Sequence, residues 1–219
     1  MTDFAQPSSI ALWNGLHKEG YHGDYASVLA RNRISYKSSA DRLCRFPFDP
    51  AGKVVIDIGC GGGWHMADCI ANEAKMVYGV EIDQGIIEKA TRSFQELEVP
   101  AEKYRFVCSA TESLREVLPK ADVIYSQAVF MHMPFGEVVD YLRLIAAKLN
   151  GTAYLQFYQK DGFTTFHAIA THHPVCLADS GVDATIEASG LQLVRKDYPR
   201  GPELEPVWTF YTCTTKSAS

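Results

Sequence analysis

Residues 53–64 read Lys53-Val54-Val55-Ile56-Asp57-Ile58-Gly59-Cys60-Gly61-Gly62-Gly63-Trp64. Val54, Val55, Ile56 and Ile58 form a short β-branched run without polar alternation, as expected of a strand buried on both faces. A glycine-rich turn follows at once, and a helix is expected from about Trp64 to Ala71. Strand, glycine turn and helix make the unit from which open parallel sheets are built, and ligands of such sheets bind beyond the carboxyl ends of the strands. Glycines let the backbone take positive φ and let a ligand approach the main chain closely. The N-terminus of the next helix offers N–H groups to an anionic ligand group.

The alternation continues outward from this turn. Met76 to Ile82 reads as a strand, Gln84 to Leu97 as a helix and Tyr104 to Cys108 as a strand. Asp122 to Ser126 is a fourth strand, Phe135 to Leu149 a helix and Thr152 to Tyr158 a fifth strand. Leu191 to Asp197 and Val207 to Thr214 close the chain as two more strands. The link between them, Tyr198 to Pro206, has no helical pattern, so these two are expected to pair antiparallel. Upstream, residues 1–50 read as a helical cap, with a helix from Ala26 to Phe46 that Pro47 and Pro50 terminate. The organisation expected is therefore one domain over 1–219, with a cap or lid segment at 1–50 and an α/β core at 51–219.

Composition narrows the functional classes. Apolar residues make up 47% and charged residues 21%, the balance of a soluble globular protein. The formal net charge of −5 disfavours a protein that grips a phosphate backbone, so nucleic acid is not expected as a partner. The N-terminus, Met1-Thr2-Asp3-Phe4-Ala5-Gln6-Pro7, has no basic segment followed by an apolar one, and no run approaches the roughly 20 apolar residues of a membrane span. Six cysteines are scattered without a CxxC pair, which argues against a disulfide framework. A cytoplasmic location is the expectation.

Two cofactor classes use a turn of this kind. The dinucleotide fingerprint Gly-x-Gly-x-x-Gly fails, because Trp64 stands where its third glycine would be. An acidic-x-Gly-x-Gly-x-Gly pattern does fit, with Asp57, Gly59, Gly61 and Gly63 in register and Cys60 between them. Read alone, the turn also suits a tight strand–helix connection in some other α/β protein. The second strand ends in Glu81, roughly 20 residues past the glycine turn, and an acid there can accept hydrogen bonds from both hydroxyls of a ribose.

This series resembles the Rossmann-like, class I S-adenosylmethionine-dependent methyltransferases, in their broad small-molecule branch. The resemblance runs from Lys53 to about Tyr158. It implies a doubly wound sandwich with a seven-stranded, mostly parallel sheet and an antiparallel C-terminal strand. It implies S-adenosylmethionine as methyl donor and S-adenosylhomocysteine as product. Asp57, Gly59, Cys60, Gly61 and Gly63 then match the donor-binding turn, Glu81 the ribose-binding acid and Ile82 the apolar residue against adenine. Phe106 to Leu114 resembles the third-strand motif, which often carries Asp where this chain has Ala110. A backbone group at Ala110 or Thr111, or the Glu112 side chain, is then expected to face the adenine edge. Ala121 to Pro134 resembles the fourth-strand motif, with Ser126 and Gln127 beside the methionine portion; Asp122 is read as a structural strand start.

Methyl transfer from a sulfonium is an in-line displacement in which the protein mainly positions donor and acceptor. A base is needed only when the acceptor must lose a proton. His132 and His167 are the candidate bases. Each has an ordinary alternative that is preferred, a structural histidine at His132 and a surface one at His167. His17, His22, His172 and His173 lack metal-ligand spacing with carboxylates, and Ser126 and Gln127 replace the acids of magnesium-binding relatives, so no metal is expected. Trp13, Tyr21 and Tyr25 are candidates for a lid or for ordinary helix packing. Tyr154, Phe157, Tyr158, Phe163 and Phe166 suggest a partly apolar acceptor pocket, although some must be core. A small-molecule oxygen or nitrogen is the expected acceptor. Methylation of a protein or RNA, and a non-catalytic cofactor-binding module, are the alternatives. No Asn-Pro-Pro-Tyr type motif follows the fourth strand, and no Pro-Cys pair is present for cytosine attack.

Overall fold

The computed structural model describes residues 23–37, 47–110, 112–159, 179–197 and 207–216. The first described element is helix α1, Tyr25–Lys37. Strand β1, Val54–Ile58, leads through the glycine turn into α2, Trp64–Ala71. Then come β2, Met76–Glu81; α3, Gln84–Glu96; β3, Tyr104–Cys108; the short α4, Leu114–Val117; and β4, Ala121–Ser126. A single 3-10 turn, Phe130–His132, precedes α5, Phe135–Lys148, and β5, Leu149–Gln159. The chain ends with α6, Asp179–Ala188; β6, Leu191–Asp197; and β7, Val207–Thr215.

The seven strands form one sheet in the order β3-β2-β1-β4-β5-β7-β6. Six run parallel, and β7 pairs antiparallel with both β5 and β6. The antiparallel pairing of the last two strands agrees with the expectation, and the sheet adds that β7 inserts between β5 and β6. Strand order reverses between β1 and β4, which makes the carboxyl ends of these two strands the switch point of the sheet.

Alternation along β1 divides the core into two layers. Val55 packs on the α2 and α3 side with Met66, Ala67, Val77 and Phe94. Ile56 and Ile58 pack on the opposite side with Val138, Leu142 and Ile145 of α5 and Val182 and Ile186 of α6. Helix α3 shows why its residues are helical: Ile86, Ile87, Ala90, Ser93 and Phe94 fall on one buried face. The Asp83 carboxylate caps its start by accepting the Ile86 N–H at 3.0 Å. Asp122 has the structural role read for it, since its carboxylate accepts the Val54 N–H at 2.9 Å and fixes the start of β1.

The described elements bear on several expectations. The N-terminal helix covers Tyr25–Lys37, and residues 38–46, where it was expected to continue, lie outside the described residues. Helices α4 and α6 were not expected; α4 has only four residues, and the pattern of α6 is interrupted by Gly181. Of the five aromatics weighed between pocket and core, Phe157 is core: it is 2% exposed and stacks on Phe130 with ring centres 5.1 Å apart. Tyr154, on the other face, stacks on Phe48 at 5.2 Å. Nothing is described of the Tyr158 side chain or of Phe163 and Phe166.

Gly59 has φ of 73°, and a Cβ built on it would lie 2.2 Å from Cγ2 of Val129 in the β4 loop. Gly52 has a similar φ of 68° with nothing within 4 Å of the added atom. Gly59→Ala therefore adds a clash to the left-handed strain and should cost about 3 kcal/mol or more, against about 1 kcal/mol for Gly52→Ala. Urea denaturation of the two variants checks this, and equal costs would refute the packing role of Gly59.

Candidate functional site

The carboxyl ends of β1, β2, β3 and β4 lie side by side. Ile58 is in register with Val80 and with Ser126, and Glu81 with Cys108. The turn that leaves β1 is held by its own backbone. Gly59 and Cys60 donate their N–H groups to the Val80 carbonyl at 2.8 and 3.0 Å, and Gly63 donates to the Cys60 carbonyl at 2.9 Å. Gly59, Gly61 and Gly63 all have positive φ.

Glu81 closes onto this turn. Its Oε2 accepts the Gly61 N–H at 2.9 Å, and its Oε1 accepts those of Ile82 and Asp83 at 2.7 and 3.2 Å. Three amides thus fix one buried carboxylate at the mouth of the turn. Asp57 stands differently. It is buried opposite Gly79 and Tyr125, and its Oδ2 has no hydrogen-bond partner. Burial, with the nearby Glu81 charge adding to it, pushes the Asp57 carboxyl up to about 8. The Ser126 hydroxyl at the end of β4 is likewise buried and unpartnered. Two orphaned polar groups therefore sit at the switch point, where a bound ligand with complementary groups would satisfy them.

Cys60, between the glycines, has its thiol pushed well above the usual range by burial and by the Asp57 and Glu81 charges, so it packs as an apolar group. Tyr125 donates its hydroxyl to Gln127 Oε1, which orients the amide just past β4. The next residue, Ala128, has φ of 57° and donates its N–H to Gln156 Oε1 at 2.9 Å, fastening the β4 loop to β5.

Near β3, Ser109 donates its N–H to the Glu81 carbonyl at 2.8 Å and Ala110 is exposed, while Thr111 lies outside the described residues. Glu112 is turned to another task. Its Oε1 accepts the Cys108 N–H at 3.0 Å and its Oε2 meets Arg105 at 3.1 Å. It braces the end of β3, and the expected use of its side chain against adenine is dropped. His132 sits in the 3-10 turn after β4, where burial lowers its imidazole to about 4. It is neutral at neutral pH and a weak proton acceptor. His167 lies outside the described residues, as do Trp13, Tyr21, His17, His22, His172 and His173. Tyr25 is not over the sheet edge: its hydroxyl donates to Glu96 at 2.6 Å and Arg92 lies 4.2 Å above its ring, so it docks α1 on α3.

Among the described residues no group of three or more His, Cys, Asp or Glu side chains is placed to hold a metal ion, and no helix is long and apolar enough to cross a membrane. Two parts of the site escaped the sequence reading. Gly79 faces Asp57 across the β1–β2 pair, and a Cβ there would lie 2.2 Å from the Met66 sulfur and 2.7 Å from that of Cys60. A glycine inside a strand was the available signal. Asn32 of α1 reaches the turn from a helix face that is part polar and part apolar, and no sequence signal marked it.

The sheet order, the glycine turn after β1 and the acid ending β2 agree with the resemblance to Rossmann-like methyltransferases. Residues 55–151 match the family model described as a methyltransferase domain. That match spans under half of the chain and takes in the glycine turn, Glu81 and the end of β4. The chain is 26% identical over 132 residues to protein arginine N-methyltransferase 1 of Schizosaccharomyces pombe, a stretch covering 60% of this chain and 35% of that protein. The chain spans less than half the length of the curated relatives it matches. Among solved structures it is similar to magnesium protoporphyrin IX methyltransferase from Synechocystis PCC 6803, with a TM-score of 0.65 at 15% identity over 98% of this chain and 100% of that one. It is also similar to 1,6-didemethyltoxoflavin-N1-methyltransferase of Burkholderia thailandensis, with a TM-score of 0.66 at 17% identity over 94% of this chain and 87% of that one. At these identities the structural likeness is one of fold.

The raised Asp57 carboxyl makes a prediction for the protein without ligand. Between its ordinary value of 3.8 and about 8, the native state keeps a proton that the unfolded chain has lost. Stability contributed through this group therefore falls as pH rises across that window. Asp57→Asn should flatten the decline, measured by urea denaturation at a series of pH values; an unchanged slope would show that Asp57 ionises normally.

Proposed function

We propose that this chain binds S-adenosylmethionine at the carboxyl ends of β1, β2 and β4 and transfers its methyl group to an oxygen or nitrogen of a small molecule, by in-line displacement. The observation that carries the reading is the Glu81 carboxylate closed onto the Gly61 amide beside two buried, unpartnered polar groups, Asp57 and Ser126. When bound, S-adenosylmethionine supplies an activated methyl on a sulfonium and carries an ammonium group.

In this reading Glu81 holds the ribose, and the backbone of Gly59, Cys60, Gly61 and Gly63 lets the donor approach the main chain. Ile82 packs on adenine, and the backbone at Ala110 and Thr111 lines the adenine edge in place of an acidic side chain. Asp57 and Ser126 turn to the methionine portion, together with Gln127. A buried acid held protonated is suited to a cationic group, which would draw it into the ionised form. The chain's task is then positioning. His132, held neutral, orients groups near the β4 loop, and His167 is the candidate base if the acceptor must lose a proton.

Small-molecule acceptors are supported by the likeness to the porphyrin and toxoflavin methyltransferases. The match to an arginine methyltransferase favours a second reading, transfer to a protein nitrogen. Labelled-methyl assays against a small-metabolite fraction and against arginine-rich peptides separate the two, and label in the small-molecule fraction alone is the expected result.

Calorimetry with S-adenosylhomocysteine tests the cofactor site. In buffers of differing ionisation enthalpy at neutral pH, binding should release about one proton per site, since Asp57 starts protonated and ends ionised. The release should shrink above pH about 8, where Asp57 has already lost its proton, and should vanish in Asp57→Asn. Absence of binding by the folded protein would overturn the proposal.

A further inference from the structure

Helix α1 buries two polar side chains beside its apolar contacts Val28, Leu29 and Tyr36. Val28, Asn32 and Ser35 are its buried residues, and Asn32 has no exposure at all. The Asn32 side-chain amide donates one N–H to the Gly62 carbonyl at 2.8 Å and the other to Ser93 Oγ of α3 at 2.5 Å. Its Oδ1 is buried without a partner. An amide with an unsatisfied acceptor is a costly way to dock a helix, and an apolar side chain would fill a buried position without that cost. What the amide accomplishes is therefore sought in what it holds.

It holds a peptide plane. The Gly62 carbonyl and the Gly63 N–H belong to one planar unit and point in opposite directions. Asn32 grips the carbonyl, and the Cys60 carbonyl accepts the N–H at 2.9 Å. Gly63 itself is the cap of α2, and its own carbonyl accepts the Ala67 N–H at 2.9 Å. The unit pinned by Asn32 is thus the last peptide before the helix whose N-terminus faces the ligand end of the sheet. With glycine on both sides, the bond inside the turn holds the N–H end of the unit, and Asn32 holds its carbonyl end from outside. Val28 packs close by, 3.3 Å from where a Gly62 Cβ would stand, and Arg31 lies 5.2 Å over the Trp64 ring.

We propose that Asn32 is a positioning residue for cofactor binding: from outside the motif it fixes the Gly62–Gly63 peptide, and so couples docking of α1 to the affinity of the turn for S-adenosylmethionine. The inference rests on the cofactor reading above. By linkage, cofactor binding in turn stabilises the docked α1.

The two partners of Asn32 supply the control. Asn32→Ala loses both bonds, whereas Ser93→Ala loses only the tie to α3 and keeps the tie to the turn. The full chain is used, with affinity for S-adenosylhomocysteine measured by calorimetry and exchange of the 59–63 amides followed by mass spectrometry without ligand. Asn32→Ala should weaken binding about tenfold, the equivalent of one buried hydrogen bond, and speed exchange in the turn. Ser93→Ala should lower the melting temperature, yet keep affinity within about twofold and leave turn exchange unchanged. If Asn32→Ala does not fold, Asn32→Ser, which keeps a small polar group but not the reach to Gly62, replaces it with the same expectation. Affinity within twofold of wild type for the Asn32 variant that folds would overturn the proposal. So would an equal loss in Ser93→Ala, which would reduce Asn32 to general stability. A wild-type chain that does not bind S-adenosylhomocysteine would strike the cofactor reading instead, and the exchange comparison would still decide whether Asn32 holds the turn.

Discussion

A carboxylate at the end of β2 accepts an amide from the turn at the end of β1, Glu81 to Gly61 at 2.9 Å. That bond needs β1 and β2 parallel and in register, so that Ile58 lies beside Val80 and Glu81 comes level with the turn. It needs glycine at Gly79, since any Cβ there would meet Met66 and Cys60. It needs the turn to fold back on positive φ and the β4 loop to press Val129 against Gly59. Sheet order, core packing and turn conformation are all drawn into one contact between an acid and a backbone N–H.

The two buried acids of the site are treated in opposite ways, and the difference comes from hydrogen bonding. Glu81 is met by three backbone N–H groups, which stabilise a charge directly. Asp57 is buried with one oxygen unpartnered; burial, with Glu81 adding as a like charge, keeps its proton on well above the ordinary carboxylate range. In the proposed site the first accepts from neutral hydroxyls and the second meets a cation. A ligand that carries both kinds of group along one extended shape suits the pair.

The fold was legible where periodicity was strong. The buried β-branched run ending at Ile58, the helix with Ile86, Ile87, Ala90 and Phe94 on one face, and the third strand from Tyr104 to Cys108 all stand where the pattern placed them. Legibility failed where tertiary context overrides local signal. Asn32 sits on a helix face that is part polar and part apolar, and its partner is a backbone carbonyl 30 residues away. Glu112 looked available for a ligand, but Arg105 and the Cys108 amide engage it, and neither contact has a sequence period to betray it. Alternation along β5 required some of its aromatics to be core, but which ones it could not say; Phe157 is one, packed against Phe130 and Tyr211. The motif residues were readable because their roles are written in short spacings; those that brace them are not.

The proposed donor site rests on backbone geometry and on two acids, Asp57 and Glu81, held on regular elements. The most direct measurement is a crystal structure of the protein with S-adenosylhomocysteine. Ribose hydroxyls are expected on the Glu81 carboxylate, and the ammonium end of the ligand beside Asp57 and Ser126. Ligand density elsewhere on the molecule, or a ribose that leaves Glu81 uncontacted, would contradict the proposed site.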